Sequence, residues 1–392
     1  MKKILVINLG WEQEPLINEL AERSDCVLFG VHDNEKHNFD NFFQKIKILD
    51  FRDLDGILKF ANDIKPDAVI SDACDYSLIA QSLVAEKYDL PSPSVASAQL
   101  SNNKYLQRIK AKENGVLIPD FELCSSIKDI EKFGKKYGYP IIVKPIDNRG
   151  GFGVVKVNSI DEIEEAFFIA ITHSHSRMLL AESFINGQLI TVDGYVFKNE
   201  GIKSLVIGTK EQINETAQVS IKIVYPGNID EPLFSQILIL NEKVNRLLGY
   251  DFGMLHSEYI IHNNDVFLVE SHNRGGGVLI SETIVPECSG VDTLRQLISD
   301  SLGDNDDFFN DSKHLPIVLG WFEFDEGLVK NIKGWQAFND DERIIKAKLF
   351  IDKGSVLKCI TNDVERHGFY IFKGRANEAN NIMSKVFVEY EK

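Results

Sequence analysis

The amino-acid sequence predicts an α/β protein of three lobes: an open parallel sheet at the N-terminus, a small α+β unit, and a larger antiparallel α+β lobe. Apolar strand-like runs alternate with helical segments between residues 3 and 88, which is typical of a parallel sheet. Breaker clusters at 90–94 and 118–120 separate this part from the rest. The 392 residues are enough for two or three lobes rather than one core.

The N-terminal lobe starts with Lys3–Asn8, a nearly continuous apolar run of the kind that forms a buried parallel strand. Further strands are predicted at Cys26–Val31, Lys45–Leu49 and Pro66–Ser71, and helices at Pro15–Arg23, Asp53–Ile64 and Tyr76–Tyr88. The first turn contains only Gly10 and lacks G-x-G-x-x-G, so the dinucleotide fingerprint is absent there. We therefore expect this lobe to be a scaffold and a substrate wall.

A helix with a lysine near its start is predicted after the first breaker cluster. Ser101 is expected to cap this helix, which runs over Asn102–Gly115 and contains Lys104. The small α+β unit then extends to about residue 185, with predicted elements at Ile127–Lys136 (helix), Tyr139–Pro145 (strand), Val154–Val157 (strand), Ser159–Ile171 (helix) and Met178–Phe184 (strand).

Lys144 closes a strand and is followed by the glycine-rich loop Asp147–Gly153. This arrangement suits phosphate, because glycines let backbone N–H groups approach an oxyanion and the ammonium adds charge. A plain glycine-rich turn is the alternative, and the Gly-Lys-Ser/Thr of a Walker motif does not follow.

The last lobe is predicted to be mainly antiparallel. Its elements are strands at Leu189–Phe197 and Lys203–Gly208, helices at Pro232–Leu248, Val291–Ser301 and near Asn377–Lys385, a polar loop at Asn305–Asp311, and short strands over 315–392.

A strand–turn–strand segment at 256–272 carries the most specific pattern. If Asn263–Asp265 is a three-residue loop, eight side chains lie on one face of the hairpin. The facing pairs are then His262 with Val266, Ile260 with Leu268, Glu258 with Glu270, and His256 with His272. Facing carboxylates repel each other, and Mg²⁺, which prefers oxygen ligands, would remove that penalty. A solvated hairpin edge is the alternative, and a two-residue loop would break this register.

Two other side chains are candidates for ligand contacts. Glu182 at a strand end could accept from the amino group of adenine, although a surface glutamate is the alternative. Arg274 follows the hairpin, and its planar fork suits a carboxylate or a transferring phosphoryl group. A structural ion pair with one of the glutamates is the alternative for Arg274.

Composition excludes several classes of function. Hydrophobic residues make up 44% and charged residues 26%, as in ordinary globular proteins, and no apolar run is long enough to span a bilayer. The net charge of -16 opposes binding to nucleic acid. The 5 cysteines show no metal or redox spacing, so we expect reduced thiols and a cytoplasmic protein.

Taken in order, these segments resemble the ATP-grasp superfamily, in particular its carboxylate–amine ligases of the L-amino-acid (dipeptide) ligase-like branch. The resemblance covers nearly the whole chain. The motifs that carry it are Lys104 on a helix, Ile-Ile-Val-Lys144-Pro, the glycine-rich loop, Glu182-x-x-Ile-x-Gly187, His256-x-Glu258 and Glu270-Ser-His-Asn-Arg274.

The resemblance implies the ATP-grasp fold, with ATP held between two lobes. It implies an N-terminal domain (1–100), a connecting helix (101–117), a lid subdomain (118–185) and a C-terminal catalytic lobe (186–392). The implied nucleotide contacts are Lys104 and Lys144 on the phosphates, Gly150 and Gly151 in a mobile lid, and Glu182, Phe184 and Ile185 on adenine. Glu258 and Glu270 would bind Mg²⁺, with Mn²⁺ as an alternative, and Arg274 would steady the acyl-phosphate oxygens or the substrate carboxylate.

The implied reaction joins a small-molecule carboxylate to an amine, with amino acids as the expected substrates, through an acyl phosphate and with release of ADP and phosphate. The resemblance also implies a homodimer. A carboxylase-like or purine-pathway ligase and a non-catalytic nucleotide-binding protein remain alternatives. Two positions depart from the family: His272 replaces an asparagine, and Leu189 replaces an acidic ribose contact.

Overall fold

The computed structural model describes residues 1–35, 38–213, 219–304, 306–309 and 315–391. In the N-terminal lobe, four strands form a parallel sheet, as the sequence predicted. The strands and helices of this lobe are β1 (Lys2–Ile7), α1 (Glu14–Ala21), β2 (Cys26–His32), β3 (Phe43–Ile48), α2 (Leu54–Ile64), β4 (Ala68–Ile70) and α3 (Asp75–Tyr88). The strand order is β3-β2-β1-β4, so the C-terminal ends of β1 and β4 lie side by side.

Two short helices connect this sheet to the rest, and their boundaries differ from the prediction. They are α4 (Val95–Ser101) and α5 (Lys104–Glu113). The prediction that Ser101 caps the second helix is wrong: Ser101 ends α4, and the side chain of Asn103 caps α5 by accepting from the N–H of Leu106 at 3.1 Å. The hydroxyl of Ser101 instead accepts from the N–H of Asn273 at 3.0 Å.

The small α+β unit is a four-stranded antiparallel sheet in the order β5-β8-β6-β7. Its elements are β5 (Phe121–Cys124), α6 (Ile127–Tyr137), β6 (Ile141–Pro145), β7 (Val155–Val157), α7 (Ile163–Thr172) and β8 (Leu179–Ser183). Both helices pack on the sheet around a core of their own that includes Phe133, Val143 and Ala166. Ser126 and Asp129 form a capping box at the start of α6, which explains why the helix begins there.

An antiparallel sheet of eight strands dominates the last lobe. Its order is β13-β12-β9-β10-β11-β14-β18-β16, and a second sheet has the order β17-β15-β19. The elements are β9 (Gln188–Phe197), β10 (Gly201–Gln212), β11 (Ser220–Tyr225), α8 (Glu231–Leu247), β12 (Gly253–His262), β13 (Asp265–His272), α9 (Val285–Ser289), α10 (Thr293–Leu302), β14 (Ile317–Trp321), β15 (Gly327–Lys333), α11 (Trp335–Asn339), β16 (Ile344–Leu349), β17 (Val356–Leu357), β18 (Gly368–Lys373), α12 (Ala376–Met383) and β19 (Phe387–Tyr390). The predicted polar loop Asn305–Asp311 lies partly outside the described residues.

The N-terminal and C-terminal lobes share a core, which fixes the first sheet against the site. Helices α2 and α3 cover one face of that sheet. On the other face, Leu297 and Ile298 of α10 pack with Ile4 and Val6 of β1. No disulfide joins the cysteines of the described residues. No helix in the described ranges combines the length and apolar character that crossing a bilayer requires. The predicted domain boundaries at 100, 117 and 185 stay a prediction.

Candidate functional site

The hairpin of β12 and β13 closes with a two-residue turn and not with the predicted three-residue loop. Asn263 and Asn264 have φ angles of 50° and 69°, typical of the type I′ turn that matches the twist of the strands. The prediction is therefore wrong for the two pairs nearest the turn: His262 lies opposite Asp265 instead of Val266, and Ile260 lies opposite Phe267 instead of Leu268.

A β-bulge then restores the register of the two glutamates. β13 contains one additional residue, Val269, at the bulge. The carbonyl oxygen of Val269 accepts a hydrogen bond from Arg108 at 2.6 Å, so this oxygen has a partner although the strand pairing is irregular there. Glu258 consequently lies opposite Glu270, as predicted. The expectation that all eight side chains share one face is wrong, because the bulge shifts the alternation and Leu268 packs in the core.

Glu258 is surrounded by cations. Its carboxylate contacts the ammonium of Lys210 and lies 3.6 Å from Nε2 of His256. Burial favours the neutral form of Glu258, but Lys210 and His256 outweigh it and lower the pKa of Glu258 to about 2. Burial alone would lower the pKa of His256, but Asp193, which accepts from Nδ1 at 2.7 Å, and Glu258 raise it.

Glu270 has matching surroundings. Its Oε2 lies 2.8 Å from Nζ of Lys104, and its Oε1 lies 3.4 Å from Nε2 of His272. Burial opposes ionisation, but Lys104 and His272 hold the pKa of Glu270 well below its usual value. Both glutamates are therefore ionised at neutral pH, and each lies beside a lysine and a histidine.

The donor set of this pair fits a hard divalent cation. Carboxylate oxygen is the ligand that Mg²⁺ prefers, and Mg²⁺ commonly takes one or two carboxylates together with water and phosphate oxygens. Within the described ranges, no group of three or more His, Cys, Asp and Glu side chains could hold a metal ion. The chain thus supplies two facing carboxylates, and the remaining ligands would have to come from a nucleotide or from water.

The glycine-rich loop lies beside the two glutamates. Nζ of Lys104 donates to the carbonyl oxygen of Asn148 in this loop at 2.7 Å, so one lysine joins the loop to the hairpin. Gly150 and Gly151 have φ angles of 61° and 73°, a conformation that glycine adopts without strain. Both glycines line the same cleft as Lys104 and Lys144.

Lys144 belongs to a buried triad with Glu182 and Arg108. Oε2 of Glu182 lies 2.7 Å from Nζ of Lys144, and Oε1 lies 2.5 Å from Nε of Arg108. Burial would raise the pKa of Glu182, but Arg108 and Lys144 hold it below its usual value. Burial, assisted by Arg108, lowers the pKa of Lys144 although Glu182 opposes this. Both oxygens of Glu182 are therefore already paired with cations.

Arg274 is anchored by the N-terminal lobe. Its Nε and NH2 groups each donate to the Asp75 carboxylate at 2.9 Å, and NH1 donates to the carbonyl oxygen of Gly275 at 2.8 Å. His272 also contacts Asp75, with Nδ1 at 3.0 Å from Oδ1. Burial opposes the charge of Asp75, but Arg274 and His272 hold its pKa well below the usual value. Arg274 still lines the cleft, with its orientation fixed by Asp75.

These residues surround one cleft of about 700 Å³ between the three lobes. Its end near β8 is largely apolar, and Phe184 lies there with Nζ of Lys156 4.1 Å from its ring centroid. The other apolar residues at this end are Pro119, Ile142, Val154, Ile185, Leu189 and Ile260. The structure thus brings every predicted site residue to a single cleft.

Sequence reasoning missed the partners that hold these side chains in place. Arg108 lies four residues after Lys104, a helical spacing that puts both on one face of α5 and could have indicated its role. Asp75 follows the C-terminal end of β4, the sheet edge where parallel α/β folds bind ligands. Glu12 follows β1 at the same edge and lines the cleft, although the first turn lacks the dinucleotide fingerprint.

Comparison with known proteins agrees with this architecture. A family model described as an ATP-grasp domain matches residues 137–282. The chain is 22% identical to an L-arginine-specific L-amino acid ligase of Bacillus subtilis over 298 residues, which is 72% of this chain and 71% of that protein. It is also 22% identical to a carbamoyl phosphate synthase large chain of Thermoanaerobacter pseudethanolicus over 57% of this chain, but it spans only 21% of that protein.

Solved structures show the same fold. An L-amino acid ligase from Bacillus licheniformis superposes with a TM-score of 0.85 at 18% identity and covers 100% of this chain and 99% of that one. An N5-carboxyaminoimidazole synthetase from Staphylococcus aureus, complexed with ADP, has a TM-score of 0.75 at 17% identity, with coverage of 98% and 96%. Residues 137–282 thus match the model of an ATP-grasp domain, and the overall fold is the ATP-grasp fold that the sequence resemblance predicted.

Proposed function

We propose that this chain is an ATP-dependent carboxylate–amine ligase that joins two amino acids through an acyl phosphate and releases ADP and phosphate. The observation that carries the proposal is the facing pair Glu258 and Glu270, ionised and flanked by Lys104 and Lys210 at the edge of a glycine-rich loop. Such a pair is suited to hold a divalent cation against a triphosphate, which is the charge arrangement that phosphoryl transfer needs.

In this proposal, Glu258 and Glu270 hold Mg²⁺, or Mn²⁺ in its place, and the ion supplies charge neutralisation for the phosphates. Lys104 and Lys144 contact the phosphate oxygens, and the N–H groups around Gly150 and Gly151 cover them. Phe184 and Ile185 contact adenine at the apolar end of the cleft. We further assign Glu182 the positioning of Lys144. An adenine contact by a remaining lone pair of Glu182 stays a prediction.

The reaction requires no nucleophile from the protein. A carboxylate oxygen of the first substrate attacks the γ-phosphorus, and the bond to the β-phosphate oxygen breaks to release ADP. The nitrogen of the amine then attacks the carbonyl carbon, loses a proton, and the carbon–oxygen bond to phosphate breaks. Arg274, held by Asp75, and Lys144 stabilise the negative charge that develops, and positioning in the closed cleft supplies most of the remaining rate gain. The glycine-rich loop excludes water, which would hydrolyse the acyl phosphate.

The relatives support amino acids as substrates without restricting the assignment to them. Two of the proteins reported above are L-amino acid ligases by name, and the likeness to one of them extends over the full chain. The likeness to a carbamoyl phosphate synthase and to an N5-carboxyaminoimidazole synthetase favours a second candidate, an ATP-grasp ligase that acts on bicarbonate or on a purine precursor. A homodimer remains a proposal from the family resemblance, and a cytoplasmic location remains a proposal from the spacing of the cysteines.

A screen of amino-acid pairs tests the proposal. The protein is incubated with ATP, Mg²⁺ and each pair of the twenty standard amino acids, and phosphate release is read together with the mass of the product. We expect ADP, phosphate and a dipeptide for at least one pair. Formation of AMP and pyrophosphate would refute the scheme, whereas ADP release that requires bicarbonate and no amino acid would establish the second candidate. Nucleotide binding without turnover under any condition would indicate a non-catalytic binding protein.

A further inference from the structure

A buried arginine lines the cleft outside the segment that matches the ATP-grasp domain. Arg366 is 8% exposed, and its guanidinium carbon lies 3.8 Å from the ring centroid of Trp321. NH2 of Arg366 contacts Asp363 at 2.8 Å and donates to the carbonyl oxygen of Ser220 at 3.0 Å. Its Nε–H has no hydrogen-bond partner in the described part of the chain, although a buried donor without a partner is costly.

A carboxylate from the N-terminal lobe reaches the same part of the cleft. Oε1 of Glu12 accepts from the N–H of Val278 at 2.9 Å, and among the described residues Oε2 accepts no hydrogen bond. Burial raises the pKa of Glu12, while this N–H, Arg149 and Arg274 oppose the change. Val278 has a φ of 55°, which is rare for a β-branched residue, so Glu12 holds a strained turn next to the cleft.

Glu12 and Arg366 line the same cleft, and a row of aromatic contacts connects them: Arg366 lies over Trp321, Trp321 lies opposite Phe369 in the pairing of β14 with β18, and Phe369 stacks on Trp11, the residue before Glu12. Burial lowers the pKa of Arg366, and Asp363, Glu12 and Glu258 oppose this. An α-amino acid has its ammonium and carboxylate on the same carbon, so it offers one charged partner to each of these two side chains. Trp11 lines the cleft beside Glu12 and stacks on Phe369 with ring centroids 5.1 Å apart, which gives this end a rigid apolar wall.

We propose that Glu12 and Arg366 form an α-amino-acid subsite, in which Glu12 binds the ammonium group and Nε of Arg366 binds the carboxylate. This inference rests on the proposed ligase function. It adds the two residues that would select an α-amino acid over a small acid or amine with only one of the two charges. Arg366 and Glu258 line the same cleft, so the subsite and the proposed phosphoryl-transfer centre share it.

Calorimetry with substrate analogues tests the subsite without any turnover. The full chain is saturated with ADP and MgCl₂ and titrated with each of the twenty standard amino acids. The tightest binder is then compared with its amide, which lacks the carboxylate, and with the corresponding acid that lacks the amino group. Charge-assisted hydrogen bonds of this kind predict that each analogue binds about tenfold to a hundredfold more weakly.

Two variants assign the two contacts, and a third is a matched control. Glu12→Gln keeps an oxygen that can accept from Val278, and it should remove the preference over the acid that lacks the amino group. Arg366→Met should remove the preference over the amide. Arg343→Met is the control, because Arg343 also pairs with a carboxylate, Asp341 at 2.8 Å, and lies over an aromatic ring, but it does not line the cleft. Arg343→Met should leave both preferences and the affinity for ADP unchanged.

The results separate this inference from the proposed function. If the unmodified protein binds no amino acid, or binds both analogues as tightly as the amino acid, the subsite is refuted whether or not the variants fold. If the preferences survive in Glu12→Gln and Arg366→Met, the assignment to these two residues is refuted, even when ADP release confirms a ligase. If amino acids bind with the predicted preferences but no ADP is released, the subsite stands and the ligase function does not.

Discussion

Replacing Glu182 by glutamine should destabilise the protein strongly, although the side chains have nearly the same shape. Glu182 is the carboxylate that contacts two buried cations, Lys144 at 2.7 Å and Arg108 at 2.5 Å. The side chains of these cations are 6% and 0% exposed, so water cannot replace the lost charge. Removing one partner from a buried ion pair costs about 3–5 kcal/mol. We therefore expect the free energy of unfolding of Glu182→Gln to fall by about that amount at neutral pH.

The loss of unfolding free energy in Glu182→Gln should also depend on pH. The pKa of Lys144 is already lowered by burial, and without Glu182 it falls further. The unfolded chain then binds the proton of this lysine more tightly than the native chain, so stability rises with pH. The deficit of Glu182→Gln should therefore shrink as the pH rises toward the pKa of Lys144 in the parent protein, which burial holds below the usual value of about 10.4. Affinity for ADP should fall as well, because the proposed phosphate contact loses its charge.

Urea unfolding from pH 6 to pH 10 measures these effects, and an exposed glutamate on the neighbouring strand provides the control. Glu122 bonds to Lys136 at 2.8 Å, but both side chains are well exposed, at 40% and 59%. Glu122→Gln should leave the free energy of unfolding unchanged within error, because exposed ion pairs contribute little. The reasoning is refuted if Glu182→Gln is as stable as this control, or if its deficit grows with pH.

Three further predictions concern the hairpin and the segment after it. Glu270→Gln should lower Mg²⁺-dependent ADP release by about a hundredfold or more and shift the Mg²⁺ titration to higher concentration; an unchanged titration would exclude Glu270 as a ligand. Burial and the Asp72 carboxylate raise the pKa of Glu282 well above its usual value, so this group stabilises the protein at low pH and loses that contribution as pH rises from about 4.3 through the raised pKa. The stability of Glu282→Gln relative to the parent should increase over that range, and a constant difference in urea unfolding would contradict it. Asn264→Ala should cost about 1 kcal/mol, because Asn264 has a φ of 69°, whereas Asn264→Gly should cost nothing; equal losses in denaturant melts would show that the backbone conformation is not responsible.

The facing glutamates illustrate what the sequence could predict. The alternation of side chains and the turn-forming asparagines predicted a hairpin at the right place, and Glu258 does lie opposite Glu270. The turn has one residue fewer than expected, and the bulge at Val269 adds one residue back. A bulge depends on tertiary contacts, here the hydrogen bond from Arg108, so local sequence patterns could not locate it.

The site residues that the sequence patterns missed also depend on tertiary contacts. The predicted strands and helices were close to the observed ones wherever an apolar periodicity was long, as in α8 and β9. The missed residues Arg108, Asp75, Glu12 and Arg366 act through partners that lie far away in the chain, for instance Asp75 with Arg274, 199 positions apart. Ser101 was mistaken for a helix cap because the seven-residue helix before it is too short to have a distinct periodicity.

The central claim is that a substrate carboxylate takes the γ-phosphoryl group of ATP in the cleft beside Glu258 and Glu270. Oxygen-isotope transfer tests it most directly. The carboxyl-donating amino acid is labelled with ¹⁸O in both carboxylate oxygens, and the phosphate released in unlabelled water is analysed by mass spectrometry. An acyl phosphate predicts one ¹⁸O atom in each phosphate, together with one ADP and one amide bond. Unlabelled phosphate, or label in AMP, would contradict the account.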